Sequence, residues 1–446
     1  MGLVATYPIK ANRSRGRDAK PWVSPWEIAK LPERSTRTIL GGSAMGLSTA
    51  FDRPNRSRDR RGSALLLVAL ALIPLFAMLA FAVDYGRICV AKSELQRAAD
   101  SAALAAAQEL YQSQRPGSKL TPEEAVLEAR KAAKEYFELN LAVGTTLTLR
   151  DADIEIGYLA DSNQPDAPLD TSDPATFNTV RVLGRRDAES NGAIPMTFGR
   201  ILGMRSTEAK ASAVASFINR IAGFKAPVDE GPHIPMMPLA LDLETWEAAL
   251  AGQASDQWSW DAEAQKVVAG SDGILECNLY PPTKPSKKSG FRPGKGAAPA
   301  SKKTPADDRG TVFIGTGAYD KRHLVRQILF GISQEDWAYH NGSLTFDENG
   351  ELFLKGKRSI DPTLGVPLAT VRGETRIIPI FSQVNGQGEG TVYTIVAWAG
   401  VRILDVQLTG ANKRVIVQPA EVVTGGTVTG DQARSFYVYS RVWLAK

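Results

Sequence analysis

The sequence predicts an α+β fold in which one N-terminal transmembrane helix continues into a helical stalk, followed by an α+β domain and a β-rich C-terminal domain. Three observations predict it. Residues 64–83 form an uncharged apolar run. An alanine-rich helical pattern follows without a break. Beyond residue 140 apolar and polar residues alternate in short runs, the pattern of half-buried strands.

The apolar run ALLLVALALIPLFAMLAFAV is twenty residues long, and twelve of them are Leu, Ile, Phe or Val. At about 1.5 Å per residue this covers the ~30 Å hydrocarbon core of a bilayer. The anchor is carried by Leu65, Leu66, Leu67, Leu70, Leu72, Phe76 and Phe81, with Pro74 expected to kink the helix without ending it. The competing reading is a cleaved signal peptide, for which Ala80-Phe81-Ala82 is an A-x-A match. The length of the run and the helix continuing through that site favour the anchor.

Charge sets the orientation. Residues 1–61 hold 13 Lys and Arg against 5 Asp and Glu, and the rest of the chain holds 40 against 43. The basic excess thus lies ahead of the span, as a topology determinant does, and gives no nucleic-acid face. Arg53, Arg56, Arg58, Arg60 and Arg61 precede the span, whereas Arg87, Lys92 and Arg97 follow it. The N-terminus is therefore expected in the cytoplasm and the later domains outside it. Residues 1–61 form a basic leader, with Met45 an alternative start.

The span (62–84) runs into a stalk (85–140) in which Leu95, Ala99, Ala102, Ala106 and Leu110 recur at helical spacing. Such a small-residue seam lets a second surface approach closely. The sequence leaves open whether that surface is a partner helix or the chain's own domain. Asp84, at the end of the span, reads as an interfacial carboxylate, with a partner contact as the functional alternative. Thr121-Pro122-Glu123-Glu124 is a capping box that starts a second helix.

An α+β domain is expected over 141–225, with strands at 145–150, in DIEIGYLA (153–160) and in TVRVLGR (179–185). A short helix is expected at 195–204, and a strand or helix at 206–217. Residues 226–310 form a connecting region whose stretch 281–310, rich in Pro, Gly and Lys, reads as a solvated loop. The C-terminal domain (311–446) is expected to contain a helix at 322–331, a hairpin around Asn349-Gly350, long strands in RIIPIF, VYTIVAWAGVRILDVQLTG and KRVIVQPAEVV, and an alternating strand in FYVYSRVWLA.

The chemistry-bearing patterns are missing. The chain has no G-x-S-x-G, P-loop or H-E-x-x-H. Its three histidines lie far apart, and Cys89 and Cys277 form no Cys/His cluster, so neither a metal nor another cofactor is expected. One Cys89–Cys277 disulfide is the single pairing available in an oxidising compartment. The chain is expected not to be an enzyme.

The stretch Arg61 to Leu110, with its Arg-x-Gly entry, the span, Asp84-Tyr85-Gly86-Arg87 and Leu95-Gln96-Arg97-Ala98-Ala99-Asp100, resembles the N-terminal module of TadG-like proteins of the Tad/Flp pilus-assembly group. TVRVLGRR and IPMTFGRILGMRSTEAKASAVASF resemble the Tad-like domain that often follows it, and RIIPIF and VRILDVQLTG are similar to longer members of the group. The resemblance implies a single-pass inner-membrane protein acting as a structural or assembly component of a thin pilus, with the membrane, other envelope proteins and further copies of the chain as partners. A membrane-tethered extracytoplasmic binding module with no pilus has the same sequence features. Two departures limit the resemblance. Asp170-Thr171-Ser172 is followed by Asp173-Pro174, so the D-x-S-x-S metal site of some members is missing. Gly62-Ser63 resembles a prepilin peptidase site only in part, because Leu67 stands where an acidic residue commonly follows such a cut.

Overall fold

The first helix, α1 (Arg61–Ser113), runs through the whole apolar segment and on into the alanine-rich stretch, and Pro74 does not end it. The computed structural model describes residues 61–226, 233–282, 305–430 and 432–445. Arg53, Arg56, Arg58 and Arg60, the rest of the basic leader and most of the loop expected at 281–310 lie outside the described residues. From Leu67 onward the chain forms one unit.

After a turn at Gly117, which takes φ +80°, α2 (Pro122–Glu138) starts on the expected capping box. The Glu124 amide donates to Thr121 Oγ1 at 3.2 Å, and the Thr121 amide donates to the Glu124 carboxylate at 2.9 Å. Ala125, Ala129, Ala133 and Phe137 recur every four residues and form the buried face of α2.

Strands β1 (Ile154–Gly157), β2 (Thr179–Arg186) and β3 (Ala209–Ser216) form an antiparallel sheet against these helices. The ambiguous segment 206–217 is therefore a strand over most of its length. One core joins Ile156 and Val182 of the sheet, Phe137 of α2 and Leu95 and Ala102 of α1. Close approach requires small residues on both surfaces. A Cβ on Gly184 of β2 would stand 3.1 Å from Leu95 Cδ1 and 3.2 Å from Phe137 Cε2.

The larger sheet contains β4 (Leu239–Asp242), β5 (Cys277–Asn278), β6 (Gly310–Val312), β7 (Leu352–Lys357), β8 (Thr375–Asn385), β9 (Val392–Gln407) and β10 (Arg414–Pro419). Among the described residues, four short α-helices lie between its strands in the chain: α3 (Leu243–Leu250), α4 (Lys321–Phe330), α5 (Gln334–Tyr339) and α6 (Gly365–Thr370). β9 pairs with β7, β7 with β6, β6 with β4, β4 in parallel with β8, and β8 with β9, so these strands close on themselves. Breaks in register near Phe381 in β8 bend the strand, as closure requires. The second half of β9 extends past the closed part to pair with β10 and, through it, β5.

The two faces of β9 enter two different cores. Tyr393, Ile395 and Trp398 lie in one with Phe224 and Leu344. Ala397, Ala399 and Val401 lie in the other with Leu324 of α4 and Leu368 of α6. The odd-numbered side chains change face between Ile395 and Ala397, where the pairing with β8 skips a residue. Burial on both faces explains the nearly continuous apolar run.

The α+β class is as expected, and several local expectations are corrected. The turn at Gly350 exists, with φ +77°, but the segments it joins do not form a hairpin. Ser343–Thr345 pairs with Gly223–Lys225, whereas β7 pairs with β9 and β6. FYVYSRVWLA is not one strand: Tyr437 takes φ +58°, and the segment breaks into Ser435–Phe436, Val438–Tyr439 and Trp443–Ala445. Trp443–Ala445 returns to the first sheet and pairs with β3, so strand pairing crosses the boundaries expected at 225 and 311. β4, from the expected connecting region, sits inside the larger sheet. Of the strand expected at 145–150 only Thr145–Thr146 is a strand, paired with Leu141–Ala142.

Candidate functional site

Helix α1 lies in two environments. Leu65, Leu66, Leu67, Leu70, Leu72, Phe76 and Phe81 are exposed, from 40% at Leu72 to 75% at Leu65, and Pro74 is exposed too. The helix buries none of its most apolar window against the protein. A core helix of this hydropathy would be covered, because exposing so many large apolar side chains to water costs on the order of 1.5–3 kcal/mol each. The segment therefore fits a membrane anchor.

Below the span the same helix is enclosed. Leu95, Ala99, Ala102 and Ala106 are fully buried and Leu110 nearly so. Ala98, Ala103 and Ala107, which lie outside the expected seam, are buried with them. Adjacent alanine pairs in each turn are the signal for this wider face, since a single stripe needs only one. The surface that covers it is the chain's own: residues of α2 and of the first sheet share its core. Overfilling that contact should destabilise the fold. Ala102→Leu is expected to cost roughly 1–3 kcal/mol and to lower the denaturation midpoint of the detergent-solubilised protein. An unchanged midpoint would show that the helix is not packed on this sheet.

The junction between the two environments is Asp84. It is not an ordinary interfacial carboxylate: it is 3% exposed, and its oxygens accept three backbone N–H groups. Thr197 donates to Oδ1 at 2.8 Å, and Phe198 and Gly199 donate to Oδ2 at 2.9 and 2.6 Å. Charge-assisted bonds of this kind are the strong ones. One turn further on, Arg87 Nη1 donates to Thr197 Oγ1 at 3.2 Å.

The segment held by Asp84 is a projecting loop. Its stem is the antiparallel pair Ile194–Pro195 and Ser206–Thr207. Its tip is a short 3-10 turn, Gly199–Leu202, which Gly203 ends at φ +85°. The short helix expected at 195–204 is this turn. A side chain at Gly199 would be crowded, since a Cβ there would lie 3.0 Å from the Met204 carbonyl oxygen. Between loop and helix runs an apolar groove of about 210 Å3, lined by Ala77, Ala80 and Phe81 of α1 and by Phe198, Ile201 and Leu202 of the loop. Ligand cavities are commonly about 300–1,000 Å3, so the groove is small for one.

The remaining candidates do not join this site. Cys89 is exposed just past the span, Cys277 is buried on β5, and both are free thiols. Burial pushes the Cys277 thiol up to about 12 despite nearby Arg309. Among the described residues no group of His, Cys, Asp or Glu side chains is arranged to hold a metal.

No curated protein and no solved structure gives a significant match to this chain. A family model does match residues 62–109, which hold the span, Asp84 and the buried seam up to the residue before Leu110. The similarity expected over 179–217 is not part of that match. Over residues 62–109 the chain carries a Tad domain, of the family described as putative Flp pilus-assembly TadE/G-like.

Proposed function

We propose that this chain is a single-pass inner-membrane protein that acts, without catalysis, as a structural or assembly component of a Tad/Flp-type pilus. In this reading the N-terminus is cytoplasmic and the two sheets stand outside. The observation that carries it is the coincidence of the Tad match with the helix whose apolar half is bare. Two further features support an uncleaved anchor. α1 continues without interruption through Ala80-Phe81-Ala82, and Ala77, Ala80 and Phe81, all before a cut at that site, line a groove with the 196–204 loop. A structural role also fits how the buried charges are used: Asp84 holds backbone amides and Asp242 pairs with Arg309.

The exposed Cys89 tests the topology, because Cys277 is buried and its burial disfavours the thiolate that a maleimide needs. A membrane-impermeant maleimide is expected to label Cys89 in intact spheroplasts, with loss of labelling in Cys89→Ser. Labelling only after lysis would reverse the orientation. For the pilus role, deletion of the chain in its host is expected to remove surface pili in electron micrographs, with recovery on complementation. A deletion strain with wild-type pili would overturn it.

A further inference from the structure

We propose that the 196–204 loop is a second membrane contact, seated in the headgroup and upper acyl region of the outer leaflet beside the span. The inference rests on the reading of 64–83 as a transmembrane helix.

The position of the loop is the first argument. It is bonded to α1 at Asp84 and Arg87 and faces the helix from Ala77 to Ile88 across the apolar groove. Ala77 lies about 10 Å further back along the helix axis than Asp84, at the helical rise of 1.5 Å per residue, and so within the apolar span. A loop that lines a groove with that part of the helix cannot avoid the bilayer that surrounds it.

The loop's side chains fit that place. Ile201 and Leu202 are 82% and 79% exposed at the tip, and Phe198 and Met204 are exposed beside them. Arg200 and Arg205 are exposed on the same loop, where their stems can follow the apolar surface while the guanidinium groups reach lipid phosphates. An apolar tip edged with cations is what an interfacial lipid contact requires.

Its backbone fits as well. Irregular backbone is tolerated at membrane depth only when its polar groups are satisfied internally. The amides of Thr197, Phe198 and Gly199 donate to Asp84. Those of Ile201, Gly203 and Met204 donate to carbonyls of the loop itself. Asp84 thus has a role in this arrangement: it consumes three donors that lipid could not accept, and it fixes the loop to the helix. The two contacts together would set the height and tilt at which the extramembrane sheets stand.

The test uses the full chain in a Cys89→Ser background, reconstituted into nanodiscs of phosphatidylcholine and phosphatidylglycerol brominated high in the acyl chains. A bimane label is placed at Leu202→Cys, with Phe76→Cys as the reference in the span and Asn163→Cys as the reference in solvent. Leu202 is expected to be quenched by the lipid nearly as strongly as Phe76, and Asn163 to be unaffected. A Leu202 label that behaves like Asn163 while Phe76 is quenched overturns the loop contact and leaves the span intact. If Phe76 is unquenched as well, the span reading falls with it. Leu202 shielded from both brominated lipid and aqueous iodide overturns the lipid contact in favour of a protein partner in the groove.

Discussion

Trp398→Ala is expected to cost about 3–5 kcal/mol, the usual range for truncating a buried tryptophan. Trp398 is fully buried on β9, between Phe224 at a ring distance of 5.3 Å and a stacked Phe346 at 5.7 Å. It thus joins the closed strands to the small sheet formed by Gly223–Lys225, Ser343–Thr345 and Thr427–Val428. The stabilisation comes from the ring and not from its polar edge, since the buried indole Nε1 has no acceptor among the described residues. Trp398→Phe, which removes that donor and keeps an aromatic face, should therefore lose much less. Urea titration of the solubilised protein by near-UV circular dichroism measures both. Equal losses in the two variants would show that the ring does not carry the contact. Because Trp443–Ala445 pairs with β3, loss of the larger sheet should also unravel the first one, in a single transition. Two separate transitions would show that the sheets are independent.

What the sequence disclosed, and what it did not, follows from the range of each interaction. Helix α1 was legible because its signal is local: an uncharged run of membrane length, then alanines at helical spacing. The Thr121–Glu124 box was legible for the same reason. The turn at Gly350 was also legible, but its conformation is the same whether the flanking strands pair with each other or go to different sheets. Closure of β4, β6, β7, β8 and β9 depends on pairings between distant segments, including the parallel β4–β8 contact that no local pattern announces. Asp84 stands out in the sequence, but its role does not. Its three donors lie 113 to 115 residues away, and a carboxylate beside an apolar span looks the same whether it meets water, a partner or its own chain. Gly199, where a Cβ would crowd the Met204 carbonyl, marks a tight loop but not the carboxylate that holds it.

The buried pair Arg309–Asp242 should show a loss as large as that at Trp398, for a different reason. Arg309 Nε donates to Asp242 Oδ2 at 2.6 Å, Nη1 donates to the Asn278 carbonyl at 2.7 Å, and Nη2 donates to Thr245 Oγ1. Asp242 ends β4 and also caps α3, accepting the Thr245 amide at 2.9 Å. The guanidinium therefore ties β4, α3 and β5 at one buried point. Forming such a pair gains little over an apolar replacement, because both ions lose hydration. Breaking it from one side is costly: Arg309→Met leaves Asp242 charged, buried and unpaired, and is expected to lose about 3–5 kcal/mol. Adding Asp242→Asn should recover part of that loss, because the carboxamide removes the stranded charge and can still accept the Thr245 amide. The comparison is made by urea titration of the single and double variants at constant m value. A double variant no more stable than Arg309→Met would show that the stranded charge is not the cause, and that the lost contacts of the guanidinium with Asn278 and Thr245 are.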